Sequence, residues 1–179
     1  NSPKLPNSTG PKSLDEARLF LQSDGIDGWL TRDYRYTNPV FEAALGRRVE
    51  RLTRPVWLWI PANGEPQLLA HEVDIEHFSS DSPRVTAYGN RLQMIAGLKA
   101  GLRGSKTVAM EYSPLYELPR VGRVDAGTIE LIRSLGVEVV PSGDVIQYAT
   151  ERWTAEQLQS HFFAVDALDN IVKQTFKFV

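Results

Sequence analysis

The sequence predicts an α/β fold: a mixed, roughly six-stranded sheet with helices on both faces, followed by a further helix at the C-terminal end. Three observations carry this. Apolar runs of strand length alternate with amphipathic stretches in β-α-β order through the second half of the chain. Two earlier strands flank Asn63-Gly64, a hairpin signal. From Leu158 onward, Phe162, Val165, Leu168, Val172, Phe176 and Val179 recur at steps of three and four, with Phe163, Ala167, Ile171 and Phe178 widening one helix face.

The elements follow in order. Pro3, Pro6 and Pro11 deny residues 1–12 regular structure, so they read as a loose tail. "SLDEARLFLQSDG" reads as a helix with Ser13 as N-cap, Glu16 completing a capping box and Gly25 ending it. "IDGWLT" is a short strand, "RDYRYTNPVF" an irregular connection and "RPVWLWIP" a second strand returning through "PQLLAH". Trp57 and Trp59 share a face of that strand and Trp29 lies on its neighbour, an arrangement suited to core packing against a helix. Then come "RVTAY" (strand), "RLQMIAGLKAGLR" (helix), "KTVAMEY" (strand), "GTIELIRSLG" (helix) and "VEVVPS" (strand). A boundary at "QYATERW" divides a domain over residues 13–150 from a helical segment over 151–179.

Composition narrows the function classes. A chain of 179 residues suits one domain with a sizeable core. A net charge of −2 supplies no bulk attraction to nucleic acid or anionic membrane. With no cysteine there is no disulfide, no thiolate nucleophile and no Cys-containing zinc site, which fits a reducing, cytoplasmic compartment. No apolar run approaches the roughly 18 residues of a membrane span. The polar start "NSPKLPNSTGPK" is unlike a signal peptide, and its lack of Met fits removal of an upstream segment.

Few residues could carry chemistry. His71 and His77 stand in "HEVDIEHF"; on a helix, Asp74 would share a face with each, giving two histidines and one carboxylate for a metal. A solvated acidic segment is the competing and preferred reading, and His161 reads as a boundary residue beside the apolar stripe. No G-x-S-x-G is present, and "GLKAGLRGSK" has the residues of a phosphate loop in the wrong order. Arg47, Arg48, Arg51 and Arg54 form the one dense basic cluster, able to grip phosphate or carboxylate, although Glu42 and Glu50 make a solvated face the default.

The order of elements resembles the N-terminal domain of the creatinase/prolidase/aminopeptidase P family of pita-bread metallopeptidases. "GIDGWLTRDYRYTNPVF" is similar to that family's first strand and loop, "RPVWLWIPANGEPQLLAH" to its hairpin, and the stretch from "VDAGTIELIRSLG" to "DNIV" to its last helix and strand leading into the catalytic domain. The resemblance covers residues 13–179. Arg152 and "TAEQLQ" fill the linking segment, with Trp153 and Thr154 departing from the usual basic pair.

The resemblance implies a domain that is non-catalytic by itself. The family's divalent metal pair (Mn, Co or Zn) is held by two Asp, one His and two Glu of a catalytic domain absent from this chain. Asp166 and Asp169, one helical turn apart, do not match that set, so no catalytic or metal residue and no cofactor is expected here. The family's N-terminal domain contributes to dimer assembly and substrate gating, which makes Phe41, Arg47 and Arg48 candidate inter-subunit contacts. The expected partners are a second copy and the catalytic domain, with neither nucleic acid nor membrane. Phe162, Leu168 and Val172 mark an association helix that packs on the catalytic domain in the parent and pairs with a second copy in this chain alone. Two other readings stay open: a non-enzymatic interaction module of the same fold, and a small stand-alone metal-dependent hydrolase using His71, Asp74 and His77.

Overall fold

In the computed structural model, residues 12–78 and 83–177 are described, apart from the side chains at 12, 13 and 150. Of the tail expected over residues 1–12, residues 1–11 lie outside the described residues, as do the Ser13 capping box and the stripe members Phe178 and Val179, whereas Lys12 already belongs to a helix. The first helix, α1 (Lys12–Ser23), takes Ser13 into its first turn.

Six strands are present among the described residues: β1 (Gly28–Asp33), β2 (Val56–Pro61), β3 (Gln67–His71), β4 (Arg84–Tyr88), β5 (Thr107–Met110) and β6 (Glu138–Pro141). They form one sheet in the order β4-β3-β2-β1-β5-β6. β2 runs antiparallel to β1 and β3, whereas β3 with β4, β1 with β5 and β5 with β6 are parallel. This is the mixed sheet predicted from an early hairpin and later β-α-β units.

The hairpin exists, but its connection differs from the expected two-residue turn. β2 ends at Pro61 and β3 starts at Gln67, leaving residues 62–66 as a five-residue loop with Gly64 at φ 115°. α1 holds this loop, because Gln22 Nε2 donates to the Ala62 carbonyl (2.7 Å) and Arg18 to that of Gly64 (2.7 Å). Tertiary partners thus stabilise a longer loop than the Asn-Gly pair alone would select.

Helices cover both faces of the sheet. On one, Trp29, Leu58, Ile60, Leu68 and Ala109 pack beneath α1 and α2 (Pro39–Leu45) through Ala17, Leu21, Phe41 and Ala44. On the other, Leu30, Trp57, Trp59, Leu69, Val108 and Met110 meet α3 (Arg91–Gly101) and α4 (Ala126–Ser134) through Leu98, Ile129 and Ile132. Trp29 therefore lies opposite Trp57 and Trp59: it pairs with Ile60, so the two-residue alternation of β2 sends their side chains apart.

Two helical segments replace expected irregular chain. α2 begins inside "RDYRYTNPVF": the Asn38 side chain accepts from Val40 N, Pro39 opens the first turn, and Gly46 ends it at φ 76°. After β6 the chain forms α5 (Gly143–Ile146) and a π-helical turn over Gln147–Glu151, placing Val145 and Ala149 in the first core.

The last helix, α6 (Ala155–Thr175), starts with a capping box: Thr154 Oγ1 accepts from Gln157 N (3.2 Å) and Gln157 Oε1 from Thr154 N (2.8 Å). It has no buried residue and joins neither core. Leu158, Phe162, Val165, Leu168, Ile171, Val172 and Phe176 are all exposed.

Gly28 shows how closely β1 and β2 approach: a Cβ there would lie 2.7 Å from the Ile60 carbonyl oxygen and against the Trp59 ring. Overpacking of this kind costs about 1–3 kcal/mol. Gly28→Ala should lower the thermal unfolding midpoint, while Gly101→Ala, with nothing within 4 Å, should leave it unchanged or slightly raised. Equal midpoints for the two variants would show that the Trp59 ring moves aside.

Candidate functional site

The carboxyl ends of the neighbouring parallel strands β1 and β5 carry two loops of unusual backbone. Among the described residues, five non-glycine positions have positive φ, and four of them form two consecutive pairs here: Arg35 (56°) with Tyr36 (64°), and Leu115 (50°) with Tyr116 (60°). Each such residue costs of order 1–3 kcal/mol and persists only where its surroundings hold it.

In the first loop the hold comes from Asp33, buried at the end of β1. Its carboxylate accepts from Tyr36 N (3.0 Å) and Asn38 N (2.9 Å), turning the chain before α2. Tyr34 and Tyr36 are exposed, and the Arg35 guanidinium stands 5.8 Å from the centre of the Tyr34 ring. The second loop runs from Tyr112 to Arg123. Ser113 Oγ accepts from Leu118 N (2.9 Å), and the loop presents Leu115, 93% exposed, and Tyr116, 76% exposed.

Between the loop bases sits Glu111, with 0% of its surface exposed. Its Oε1 accepts from Trp29 Nε1 (2.7 Å) and, at 3.5 Å, from Ser142 Oγ; its Oε2 accepts from Thr31 Oγ1 (3.0 Å) and Asn38 Nδ2 (3.0 Å). Burial pushes the Glu111 carboxyl above its ordinary range, and the bonds from Trp29, Thr31 and Asn38 pull it only part of the way back. Nearby, Arg32 pairs with Asp125 at 2.9 Å. Partial burial raises the Asp125 pKa, but bonds from the Thr128 side chain and backbone N–H, with Arg32, outweigh it and hold the carboxyl below its usual value.

A cleft of about 490 Å³ opens between the start of α2, the second loop and α5, lined by Val40, Ala43, Leu118, Arg120, Arg123 and Ile146 among others. A larger groove, about 590 Å³, lies at the opposite ends of β1 and β5 and gathers no comparable cluster.

The structure disperses the residues singled out from sequence. Phe41 is a correction: its ring is 0% exposed in the core beneath α2, because the helix starting at Pro39 turns that position inward. Arg47 donates to the His77 carbonyl (2.9 Å) and lies over the Phe78 ring. Arg48, with 71% of its side chain exposed, faces Glu42 at 3.7 Å, a surface pair of little strength. His71 ends β3, and its Nδ1 accepts from Val73 N (3.2 Å). Asp74 is buried and its carboxylate accepts from Thr53 N (3.1 Å), Thr53 Oγ1 (3.0 Å) and Arg54 N (2.9 Å). The segment is a turn and a short 3₁₀ helix (Ile75–His77), so the helical spacing that would align His71, Asp74 and His77 does not arise. No group of three or more His, Cys, Asp or Glu suited to a metal ion occurs among the described residues. They offer no site for the divalent pair that the resemblance implies.

Sequence reasoning read "RDYRYTNPVF" as a loop without singling out Tyr34, Arg35 or Tyr36, and it missed Glu111 and the second loop. Asn38-Pro39 was the available signal for the first, since Asn followed by Pro is a helix start and the residues before it had to form a turn. Nothing in "KTVAMEY" distinguishes Glu111 from an outward-facing strand residue.

No family model matches the sequence, and no curated protein matches it. Solved structures share the fold. Dipeptidase PepE from Mycobacterium ulcerans matches with a TM-score of 0.60 at 18% identity, over 96% of this chain and 44% of its own. The prolidase from Pyrococcus horikoshii OT3 gives 0.58 at 18%, over 93% and 43%. The creatinase/prolidase N-terminal domain of an X-PRO dipeptidase from Streptococcus pyogenes gives 0.59 at 16%, over 77% and 98%. The chain thus has the fold of that isolated domain and spans less than half the length of the two whole enzymes.

The buried carboxylate carries a pH signature. With its folded-state pKa above the ordinary 4.5, Glu111 keeps a proton in the folded chain that the unfolded chain has released, so its contribution to stability falls as pH rises from 4.5 through the folded pKa. Glu111→Gln cannot titrate. The difference in unfolding midpoint, wild type minus variant, should therefore decline across that window; a difference that is flat or rises with pH would show that the group is not buried as described.

Proposed function

We propose that this chain is the non-catalytic N-terminal domain of an Xaa-Pro dipeptidase, an Xaa-Pro aminopeptidase or a creatinase-type metallohydrolase, contributing to dimer assembly and substrate gating. The observation that carries the reading is the match to an X-PRO dipeptidase N-terminal domain over 98% of that domain. The matched share of this chain rises from 77% to 93–96% against whole enzymes, which supports assigning α6 to the start of a following catalytic domain. That domain would supply the divalent metal pair, and the exposed stripe of α6 would pack on it.

Within this reading, gating falls to the first loop. Tyr34, Arg35 and Tyr36 are exposed on a held backbone, and tyrosine and arginine on a preorganised support are the residues that most often dominate an interface. Arg48 is the member of the expected trio with an open side chain; Phe41 is committed to the core. The stand-alone hydrolase reading has no donor set among the described residues. The interaction-module reading becomes the better one if the full-length protein assembles through this domain without hydrolysing Xaa-Pro peptides.

The test is kinetic. The chain alone should not hydrolyse Xaa-Pro peptides with Mn²⁺, Co²⁺ or Zn²⁺, and the full-length protein should. In the latter, Tyr36→Ala or Arg48→Ala should cost about 2 kcal/mol, a fall of about 30-fold in kcat/KM, with metal content unchanged. Full activity in both variants would remove the first loop and Arg48 from gating.

Association of the chain alone is the second test. Each large apolar side chain covered is worth about 1.5–3 kcal/mol, so the bare stripe of α6 favours pairing with a second copy. Changing Phe162, Leu168 and Val172 together to Ser should shift sedimentation from dimer toward monomer with the sheet intact. A dimer of unchanged strength would move the interface off α6.

A further inference from the structure

Glu111 serves the two loops with different atoms. Its side-chain Oε2 receives Asn38 Nδ2 (3.0 Å), the residue that closes the first loop, while its backbone carbonyl receives Arg123 N (2.9 Å) and Val124 N (3.1 Å), which close the second. The Arg32–Asp125 pair adds another tie, from the strand that enters the first loop to the residue just beyond the second. Both loops contain a left-handed non-glycine pair, a conformation that persists only where its surroundings hold it. An isolated carboxylate at 0% exposure would be costly, so any movement that strips donors from Glu111 on one side strains its bonds on the other.

We propose that Glu111 is the shared positioning residue of both loops, so that the Tyr34–Thr37 and Tyr112–Arg123 segments keep or lose their conformations as one unit. A contact made by either loop is then felt by the other across β1 and β5, without movement of the sheet. The coupling is a property of the fold and does not depend on the proposed function.

Limited trypsin cleavage reads it directly. Arg35 reports on the first loop, Arg120 and Arg123 on the second, and Lys99 in α3 on the body of the domain. Asn38→Ala removes a Glu111 donor that lies at the first loop and has no direct bond to the second, together with the cap of α2. It should raise cleavage at Arg120 and Arg123 by the same factor as at Arg35, about tenfold, with Lys99 cut at the wild-type rate. Glu111→Gln, which keeps the side chain's size but sets an amide N–H₂ against its donors, should do the same. A rise confined to Arg35 in Asn38→Ala overturns the coupling, as does an equal rise at Lys99, which would report general loosening. Should either variant fail to fold, hydrogen exchange in the unaltered chain decides. The amides of Asn38, Arg123 and Val124 should share one protection factor to within about threefold, below that of the β1 and β5 amides, and distinct values for the two loops overturn the proposal.

Discussion

A carboxylate with no access to water must be met by donors, and around Glu111 that requirement organises the centre of the molecule. The donors come from β1 (Trp29, Thr31), from the cap of α2 (Asn38) and from the turn after β6 (Ser142). Because Trp29 and Thr31 are two residues apart, they reach the carboxylate from one face of β1. A slip of one residue would bring Leu30 and Arg32 there instead and leave the acid unpaired. Register, helix start and loop closure are thus tied to a single side chain.

The same centre explains where the backbone is strained. Consecutive left-handed residues without glycine are expensive, and both pairs stand in loops whose ends Glu111 or Asp33 holds. The apolar layers on either side supply the rigidity: β1 and β5 are buried on both faces, so displacement of the loop bases would have to disturb two cores at once. Exposed tyrosines on such a support need no further backbone ordering, which would lower the entropic cost of any contact they make.

α6 stands apart energetically. Its capping box and 21-residue length favour the helix locally, whereas its apolar side chains gain nothing from either core. The sheet of this chain ends before the helix, at β6, and the π-helical turn joins the two. What α6 covers is therefore a question about a partner surface, not about the stability of the sheet.

The sequence by itself determined the six strands, the hairpin followed by β-α-β units, the helices on both faces and the long amphipathic helix, because all of these rest on periodicity and on local punctuation by Gly, Pro and Asn. It also contained the cap of α2 in Asn38-Pro39, legible in principle and outweighed by the polar residues before it. Tertiary structure alone decided the rest. That Glu111 points inward depends on donors between 31 and 82 residues distant, and nothing local marks them as its partners. Phe41 became core because α2 turned it beneath the sheet, and Asp74 became a loop brace because Thr53 and Arg54 came within reach. Composition could nominate those residues, but their chemistry was set by neighbours that only the folded chain brings together.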